Sequence, residues 1–411
     1  MRIGYLLQEG PDIRFPPYDG PATHVREVVG ALRELGHQVR VVLRSEGRIW
    51  MSDDLDHYQV VEVGSLHQGP LRWMERAVRR VQFEFQLPYA NLFESWRFAL
   101  ACCDVLRDCD LLFERLSWMG YGGGLAARRL GKPLVVEYNG DPLHDLEAKG
   151  IAPKGMQRRL SLALMRGAFA RASKVIASGE GWATQLCDDW PVDPSSVTTI
   201  ENGTGLTRLL QREDLRNWRE SVPAGAPVKL VYLGGFYPWH GVDILLRAVQ
   251  ALTEDGMDLE LQLIGDGHGW DAAQLQAHEA GLNGRASFPG RLEGGRYASL
   301  LADADIGLSP YCGWREFSGL KLYDYMAAGL AIIASGGSGQ PRALVHGTSG
   351  WIVPACDEAA LIEAIRYLAS DAPLRRGLGR AARLEAERSH TWPVTARRIE
   401  QVFQDVLHHV S

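Results

Sequence analysis

The chain has 411 residues, of which 46% are hydrophobic and 23% are charged, and its formal net charge at pH 7 is −6. These proportions are typical of a soluble globular protein, the length favours two domains, and no apolar run is long enough to span a bilayer. The negative net charge argues against nucleic acid as the principal partner, because such binding rests on clustered basic charge.

Six cysteines are present, without paired CxxC spacing and without neighbouring histidine ligands. We interpret them as packed, reduced thiols, and we predict no metal site. The N-terminus enters a strand directly and lacks the apolar segment of a secretory signal, which predicts a cytoplasmic protein. The cysteines are Cys102, Cys103, Cys109, Cys187, Cys312 and Cys356.

The first half of the chain alternates predicted strands with predicted helices. The strands cover residues 2–7, 39–43, 111–114, 133–138, 172–177 and 197–200. The clearest helices cover residues 22–35 and 122–130. This alternation predicts a parallel, doubly wound sheet.

The loop PPYDGPATH lies between the carboxyl end of the first strand and the first helix. At a helix N-terminus, free N–H groups and the helix dipole favour a phosphate. Gly20 is the residue that we place against this phosphate. The alternative, that Gly20 only makes a turn, is equally well supported by this unit alone.

Residues 69–108 are predicted to be mostly helical, with arginines interleaved among apolar residues. The arginines are Arg72, Arg76, Arg79 and Arg80, and the apolar residues are Trp73, Met74, Val78, Val81 and Phe83. Such a segment could lie on an anionic membrane. An ordinary surface helix whose apolar stripe faces the core has the same pattern, and we favour that interpretation.

Gly122, Gly124 and Ala127 satisfy the G-x-G-x-x-A pattern of a dinucleotide site, and Asp141 stands near the distance of a ribose-binding acid. That pattern indicates a dehydrogenase. However, residues 117–121 separate the glycines from the preceding strand, whereas the dinucleotide fingerprint needs its tight turn at once. An oxidoreductase is therefore a minor alternative.

Polar residues follow the strand over 133–138, at its carboxyl end. Asn139 comes first, and Asp141 and His144 follow. Ligands bind beyond the carboxyl ends of parallel strands, so these side chains are candidates for contacting a second substrate. An Asn-Gly turn followed by a helix cap is at least as well supported.

A polar stretch over 207–227, broken by prolines, predicts a linker, and a second alternation of strands and helices begins at Val228. Its predicted strands are KLVYLGG, LELQLIGDG and residues 286–288, 306–308, 331–334 and 351–353. Two such sheets imply a cleft between the domains, which is the usual place for a large ligand.

The stretch over 309–334, SPYCGWREFSGLKLYDYMAAGLAIIA, joins a strand end to a loop, a short helix and another strand. Ser318 and Gly319 in the loop let backbone N–H groups approach a ligand. Glu316 lies before the helix and Asp324 inside it, and both carboxylates can accept hydrogen bonds from hydroxyl groups. On spacing alone, a helix-favouring acid and a solvated helix residue explain the two equally well.

Successive motifs of the second domain resemble those of the family 4 retaining glycosyltransferases of GT-B fold. In order they are VYLGGFYPWHGVDILLRAV, LIGDG, FPGRLEGGRYASLLADADIGLSP, EFSGLKLYDYMAAG and HGTSGWIVP. The first domain resembles the family more loosely, through DGPATHVREVVGALRELGHQVRVV, ASKVIASGE and TIENGTGL. The last segment, SHTWPVTARRIEQVFQDVL, resembles the family's terminal helix, so the resemblance covers nearly the whole chain.

The resemblance implies an α/β fold of two doubly wound Rossmann-like domains whose parallel sheets face a cleft. It implies an N-terminal acceptor domain over 1–206, a linker over 207–227 and a nucleotide-sugar donor domain over 228–388. Residues 389–411 would then form a helix that crosses back onto the N-terminal domain.

The resemblance also implies roles for single residues. Glu316 matches the first acid of the family's E-x7-E element, which holds donor-sugar hydroxyls, and Asp324 matches the second acid, which takes ribose hydroxyls. Gly20 matches the loop that faces the diphosphate. The residues that match backbone contacts around the sugar and phosphates are Phe317, Ser318, Gly319 and Leu320. The residues that follow the glycine near the base are Arg291 and Leu292.

The chain departs from the family at the diphosphate. Gly235 and His240 stand where the family usually has arginine and lysine, and Asn139 stands where many members have an active-site histidine. Lys321, in the first turn of the helix that follows the loop, is the remaining candidate for stabilising the leaving group. The alternative for Lys321 is an exposed lysine paired with Asp324.

We therefore predict a hexosyltransferase-type enzyme that moves a sugar from a nucleoside diphosphate to an acceptor, with retention and without a metal. UDP or GDP is the expected nucleotide, and no other cofactor is expected. A small molecule is the first expectation for the acceptor, and a lipid or polysaccharide is the second. The alternatives are a GT-B sugar-nucleotide epimerase or phosphorylase, a non-catalytic donor-binding subunit and a dinucleotide oxidoreductase. Nucleic acid is not an expected partner, and contact with a membrane surface is less favoured than its absence.

Overall fold

The computed structural model describes residues 1–16, 18–63, 70–85, 87–190, 192–211, 225–312, 319–336 and 343–410. Contacts along the chain divide it into two units, each built on one β-sheet. Unit 1 comprises Met1–Ile200 and Ala396–Ser411, and unit 2 comprises Glu201–Thr395. Within the described ranges, no helix combines the length and the apolarity needed to cross a bilayer.

The sheet of unit 1 has the strand order β4-β3-β2-β1-β5-β6-β7-β8. Its strands are β1 (Arg2–Leu7), β2 (Gln38–Ser45), β3 (Arg48–Ser52), β4 (Gln59–Val60), β5 (Leu111–Arg115), β6 (Leu134–Tyr138), β7 (Lys174–Ala177) and β8 (Val197–Thr199). Strands β2 to β4 pair antiparallel at one edge, and all other pairs are parallel. The sequence did not predict β3 and β4. Glu46 and Gly47, both at positive φ, form the two-residue turn between β2 and β3, a turn geometry that favours a hairpin.

Helices connect the parallel strands of unit 1. They are α1 (Gly20–Glu34), α2 (Pro70–Glu84), α3 (Leu92–Val105), α4 (Gly122–Leu130), α5 (Pro142–Ala148), α6 (Gly155–Phe169) and α7 (Glu180–Asp189). Asp19 caps α1, because its side-chain Oδ1 accepts a hydrogen bond from the backbone N–H of Ala22 at 2.8 Å. Such a cap satisfies one of the free N–H groups of the first turn.

Unit 2 has an all-parallel sheet with the strand order β11-β10-β9-β12-β13-β14. Its strands are β9 (Val228–Leu233), β10 (Leu259–Ile264), β11 (Ala286–Gly290), β12 (Ile306–Ser309), β13 (Ala331–Gly336) and β14 (Trp351–Pro354). Its helices are α8 (Leu206–Leu209), α9 (Val242–Glu254), α10 (Trp270–Glu279), α11 (Gly294–Asp303), α12 (Leu320–Ala327), α13 (Glu358–Ser370) and α14 (Ala372–Ser389).

Both faces of the unit 2 sheet are packed, as the apolar runs of its strands predicted. Leu230 of β9 belongs to a buried cluster with Leu245 of α9. The next residue, Val231, points to the opposite face and belongs to a second cluster with Met326 of α12. Because side chains alternate across a strand, these two clusters require helices on both faces, which is the doubly wound arrangement.

A last helix, α15 (Trp392–Val410), contributes its residues from Ala396 onward to unit 1. The ring of Phe403 packs edge-on against Phe113 of β5, with 5.1 Å between ring centroids. Glu400 lies 3.0 Å from His37, which precedes β2. These contacts hold the end of the chain on the sheet of unit 1.

Two cysteines correct the prediction of reduced thiols. Cys312 and Cys356 form a disulfide, with 4.6 Å between their Cα atoms. Cys312 follows β12 and Cys356 follows β14, and both strands end at the same edge of the sheet. The pairing was not predicted because the two cysteines are 44 residues apart and only the sheet order brings them together. The free thiols of the described chain are Cys102, Cys103, Cys109 and Cys187.

Helix α2 corrects the interpretation that its apolar stripe faces the core. Trp73 is 73% exposed and Phe83 is 84% exposed, whereas Glu75 is only 7% exposed. Glu75 is held inward by Arg79, whose Nε donates to its carboxylate at 2.9 Å, and by an ion pair with Arg97. The polar side of α2 therefore packs on the protein, and the apolar side faces outward.

Candidate functional site

The carboxyl ends of β9 and β10 meet at the edge where the sequence places the donor. Gly234 follows β9 with φ 148°, and Gly265 follows β10 with φ 138°. A Cβ atom on Gly265 would lie only 1.9 Å from the carbonyl oxygen of Gly234. Only glycine allows the two strand ends to approach this closely.

Helix α12 brings Lys321 to this edge. The side-chain ammonium lies 4.6 Å from the ring centroid of Tyr232 and 4.7 Å from that of Tyr311. A Cβ atom on Gly234 would stand 2.8 Å from Nζ, so the ammonium lies directly against the turn after β9. Lys321 is 7% exposed, which contradicts the alternative of an exposed lysine.

The two tyrosines are residues that sequence reasoning missed. Tyr232 lies in β9 and Tyr311 follows β12, so they come from neighbouring strands of the sheet. A cation over the face of an aromatic ring is attracted by the ring's negative potential, most strongly where water is excluded. The rings of the two tyrosines therefore favour the charged form of Lys321 at this buried position. The sequence signal is weak, because the two tyrosines are separated by most of the domain.

His240 lies beside Lys321 and is neutral at physiological pH. Its Nδ1 atom lies 3.0 Å from the hydroxyl oxygen of Tyr232 and is hydrogen-bonded to the carbonyl of Gly235. Since a carbonyl only accepts, we assign the proton to Nδ1. Burial, followed by the charge of Lys321, lowers the pKa of His240 to about 3. Lys321 is therefore the cation of this cluster.

Asp324, one turn along α12, is fixed by a residue that the sequence did not single out. The hydroxyl of Thr204 donates to Oδ1 of Asp324 at 2.6 Å. The same hydroxyl oxygen accepts the backbone N–H of Leu206 at 3.0 Å. Thr204 belongs to the TIENGTGL motif, whose resemblance to the family was the available signal.

The remaining donor-side residues lie at the same sheet edge or at the start of α12. Arg291 follows β11 and forms an ion pair with Asp266, with 2.7 Å between Nη2 and Oδ1. Leu292 is half-buried and packs against the cluster that contains α12. Gly319 is the N-cap of α12 and Leu320 is its first residue. Three predicted donor-side residues lie outside the described residues, and they are Glu316, Phe317 and Ser318.

On unit 1, the structure places Gly20 as the first residue of α1. His24, one turn later, lies 2.8 Å from the carboxylate of Glu137 on β6. Burial raises the pKa of Glu137, but His24 and Arg115 outweigh it and hold that pKa at about 2. This buried hydrogen bond fixes the start of α1 beside the end of β6, where Asn139 follows.

Asn139 presents an amide with open hydrogen-bonding capacity at this edge. Both side-chain polar atoms are shielded from solvent, and neither has a hydrogen-bond partner among the described residues. Buried polar atoms normally have partners, so an unsatisfied amide in a substrate-binding position is a candidate ligand contact. A role of Asn139 at the acceptor stays a prediction.

Asp141 behaves as the helix cap that was the alternative. Its Oδ1 accepts the backbone N–H of Leu143 at 2.9 Å, and its Oδ2 accepts Nε2 of Gln185 at 3.1 Å. Burial is the main cause that raises the pKa of Asp141. His144 is half-buried in the first turn of α5.

The glycines of the dinucleotide-like pattern serve the packing of α4. A Cβ atom on Gly122 would lie 2.6 Å from the backbone carbonyl oxygen of Ser95, and one on Gly124 would lie 3.1 Å from Cδ of Arg171. The N–H of Gly122 also donates to Oε1 of Gln8 at 2.7 Å. Both glycines therefore lie in close contact with other parts of unit 1. The G-x-G-x-x-A pattern, which was the reason for the dehydrogenase alternative, is therefore explained by packing.

Two family models match the chain, one on each half. The model described as "Glycosyl transferase 4-like domain" matches residues 19–203. The model described as "Glycosyl transferases group 1" matches residues 227–371.

Relatives and solved structures agree with these matches. A "Phosphatidyl-myo-inositol mannosyltransferase" of Mycolicibacterium smegmatis is 30% identical over 410 residues, which is 99% of this chain and 94% of that protein. The protein of the same name from Mycobacterium leprae is 31% identical over 54% of this chain and 58% of its own length. Anabaena HepE in complex with UDP superimposes with a TM-score of 0.70 at 17% identity, covering 98% of this chain and 100% of that chain.

The two model matches, the near full-length relative and the structural likeness point the same way. The chain therefore belongs to the group 1, family 4-like glycosyltransferases and has the GT-B fold.

Proposed function

We propose that the protein transfers a sugar from a nucleoside diphosphate, held by unit 2, to a hydroxyl group of an acceptor held by unit 1. The observation that carries the donor assignment is the ammonium of Lys321, enclosed by Tyr232 and Tyr311 at the carboxyl edge of the unit 2 sheet. A cation that is kept charged in a water-poor position at this edge suits a diphosphate, because a low dielectric strengthens its attraction.

In this proposal, different residues contact different parts of the donor. Lys321 stabilises the diphosphate, and the backbone at Gly319 and Leu320 approaches the phosphates and the sugar. Asp324, held in place by Thr204, takes the ribose hydroxyls, and Glu316 takes the sugar hydroxyls. The segment that includes Arg291 and Leu292 reads the base.

We propose a retaining, metal-independent transfer. The bond between the anomeric carbon and the diphosphate oxygen breaks, and a bond from the acceptor oxygen to the same carbon forms on the same face. The proton of the acceptor hydroxyl passes to the leaving diphosphate. The protein's share is to position both substrates and to stabilise the developing negative charge, which is the task assigned to Lys321. Asn139 orients the acceptor hydroxyl through its amide.

A polyol carried by a lipid head group is the acceptor that we propose, in place of the small soluble molecule expected from composition. The near full-length relative from Mycolicibacterium smegmatis bears the name of a phosphatidyl-myo-inositol mannosyltransferase. The outward apolar side of α2 favours the same class of acceptor. UDP and GDP are the candidate nucleotides, and the UDP complex of Anabaena HepE favours the first.

The proposal is tested by incubating the enzyme with UDP-glucose or GDP-mannose and phosphatidylinositol, with EDTA present, and determining the product anomer by NMR. We expect transfer with the donor's α configuration. An inverted product would overturn retention, and activity restored only by a divalent cation would overturn metal independence. Epimerised or phosphorolysed donor without transfer would replace the proposed reaction by one of the alternatives.

A further inference from the structure

Half of the exposed large hydrophobic side chains of the described chain fall in one short stretch. Of eighteen such residues, nine lie between Trp73 and Leu92. Soluble proteins expose single apolar residues everywhere, but a contiguous group marks an interaction surface. The nine are Trp73, Met74, Val78, Val81, Phe83, Phe85, Leu87, Tyr89 and Leu92.

Helix α2 arranges these residues in regular columns. Met74, Val78 and Val81 follow one another at helical spacing, and the hydrogen bond from the N–H of Phe85 to the carbonyl of Val81, at 3.0 Å, extends the turn. The period of an α-helix places residues four and seven positions apart on one side. The outer side of α2 is therefore a continuous apolar stripe.

A second exposed column combines aromatic and basic residues. Trp73, Arg76, Arg80 and Phe83 stand at helical spacing, and all four are exposed. The opposite side carries Glu75, which is buried in ion pairs with the protein. The polar side of the helix is thus used for packing. The side left for a partner is apolar and carries two exposed arginines, of which Arg80 lies 3.9 Å from the carboxylate of Glu84.

The first turn of α6 adds to the same surface. The backbone N–H of Tyr89 donates to Oε1 of Gln157 at 2.5 Å, and Nε2 of Gln157 donates back to the carbonyl of Tyr89 at 2.8 Å. Around this turn Ile151 and Met156 are each 65% exposed, and Lys154 is exposed. The start of α6 therefore lies beside the segment that follows α2, and it adds further exposed apolar and basic side chains to the same surface.

We propose that this apolar–basic face docks the protein on an anionic phospholipid bilayer. The face is defined by Trp73, Met74, Arg76, Val78, Arg80, Val81, Phe83, Phe85, Ile151, Lys154 and Met156. Its charge complements lipid phosphates, whereas the chain as a whole carries −6. Aromatic and aliphatic side chains that alternate with arginine are the pattern of helices that lie in the membrane interface. In a symmetric dimer through this face, by contrast, the basic residues of the two copies would lie close together and repel each other.

Helix α5 joins the acceptor edge of unit 1 to this face along the chain. Helix α5 begins after Asn139 and Asp141 and ends shortly before Ile151, so the chain runs from the candidate acceptor contact to the membrane face within a dozen residues. The inference deepens the proposed function, because an acceptor head group would be presented where the protein docks. The vesicle-binding test of this inference requires no catalysis, so the membrane docking and the proposed transfer reaction can fail separately.

The test is co-sedimentation of the full chain with vesicles of equal parts phosphatidylglycerol and phosphatidylcholine, against phosphatidylcholine alone. We expect binding to the anionic vesicles that weakens as salt rises from ~50 to ~500 mM, because salt screens surface charges. Trp73→Glu with Phe83→Glu should lower the partition coefficient at least about tenfold, and so should Arg76→Glu with Arg80→Glu. All four side chains are exposed, so folding should be retained.

The matched control is Leu275→Glu with Leu384→Glu, which adds the same charges at exposed leucines of unit 2 and should leave vesicle binding unchanged. The thermal shift produced by UDP or GDP should be equal in all variants, because it reports the donor site alone. Equal vesicle binding by wild type and both α2 variants would overturn the proposal. A dimer in solution that Trp73→Glu with Phe83→Glu converts to monomer, without vesicle binding, would assign the face to a second copy and also overturn it.

Discussion

In helices α2 and α12 the placement of the side chains departs from the usual rule, in α2 because apolar residues are exposed and in α12 because a lysine is buried. In α2 the apolar residues face outward and Glu75 is buried, whereas in α12 nearly every side is buried and Lys321 is enclosed with the apolar residues. For α2 the sequence analysis favoured an apolar stripe that faces the core, whereas for Lys321 an exposed position was only the alternative to a role at the leaving group. The difference lies in the neighbours, because Arg79 and Arg97 neutralise Glu75 while two tyrosine rings accept the ammonium of Lys321.

The comparison teaches that hydrophobic periodicity predicts a helix but not which of its sides faces the core. A buried charge is tolerated only where a partner offsets the loss of hydration, and that partner comes from another element of the fold. A residue whose sidedness departs from the pattern is therefore a good place to look for function. Here one departure lies at the proposed donor edge and the other at the proposed membrane face.

The largest expected effect comes from removing the buried charge of α12. We expect Lys321→Ala to lower kcat/KM by about 30- to 1,000-fold, or about 2 to 4 kcal/mol of transition-state stabilisation, as for loss of an oxyanion donor. The reason is that Lys321 is the cation assigned to the leaving diphosphate. The measurement is initial-rate transfer, after circular dichroism has shown that the variant is folded.

The matched control for this variant is Lys229→Ala. Lys229 lies at the opposite end of β9 and pairs with Asp303 at 2.7 Å, away from the carboxyl edge. It should keep nearly full activity. If Lys321→Ala also transfers sugar at a near-normal rate, the buried lysine serves packing only, and its proposed role at the leaving diphosphate is wrong. Lys321→Met, which keeps the bulk between the rings, separates lost charge from lost volume.

Much of the fold was predictable because buried parallel strands have continuous apolar sequences. The predicted ranges of β1 and α4 coincide with the observed ones. Strands β3 and β4 were not predicted, since they are short edge strands whose pairing depends on the hairpin turn at Glu46 and Gly47. Local turn geometry is specified by few residues, so it is easily missed.

The candidate site was predictable only where residues belong to one continuous motif. Lys321 and Asp324 come from the same helix, and their spacing is visible in the sequence. Tyr232, Tyr311 and Thr204 come from separate elements, and only the folded sheet and its loops bring them to α12. Cys312 and Cys356 were missed for the same reason, because strand order decides their proximity.

The disulfide between Cys312 and Cys356 lies at the same edge of the unit 2 sheet as Lys321, so its removal tests how much this edge contributes to stability. We expect Cys356→Ser, or reduction of the wild type, to lower the free energy of unfolding by about 3 kcal/mol, because the bond restricts the unfolded chain across a long loop. Guanidinium unfolding with and without a reductant measures this change. Cys187→Ser, at a half-buried free thiol, is the control and should cost much less.

Thiol counting in denaturant decides whether the bond exists in the purified protein. Four reactive thiols without reductant and six with it are expected, since four of the six cysteines are free. Six thiols under both conditions would contradict the bond. The cytoplasmic location stays a prediction, and the same count on protein taken from cells in acid-quenched lysate tests it, because such bonds are rare in reducing compartments.

The smallest expected effect concerns His240, the neighbour of Lys321. Its ordinary pKa is near 6.5, and burial together with the charge of Lys321 lowers it to about 3. The folded enzyme therefore keeps this imidazole neutral throughout pH 5.5 to 8, so no loss of activity should follow its deprotonation there. The unfolded chain, however, takes up the proton below about pH 6.5, so His240 should reduce folding stability as the pH falls from that value toward its folded pKa.

His240→Asn separates these two consequences, because an amide N–H can still donate to the carbonyl of Gly235 while carrying no charge at any pH. Profiles of kcat/KM against pH should have the same shape for wild type and variant, and the acid-side loss of stability should be smaller in the variant. An inflection near pH 6.5 that is present in wild type and absent in His240→Asn would show that the imidazole supplies charge to the diphosphate. Lys321 would then share its role, and the enclosed ammonium would no longer be sufficient to explain how this edge holds a phosphate.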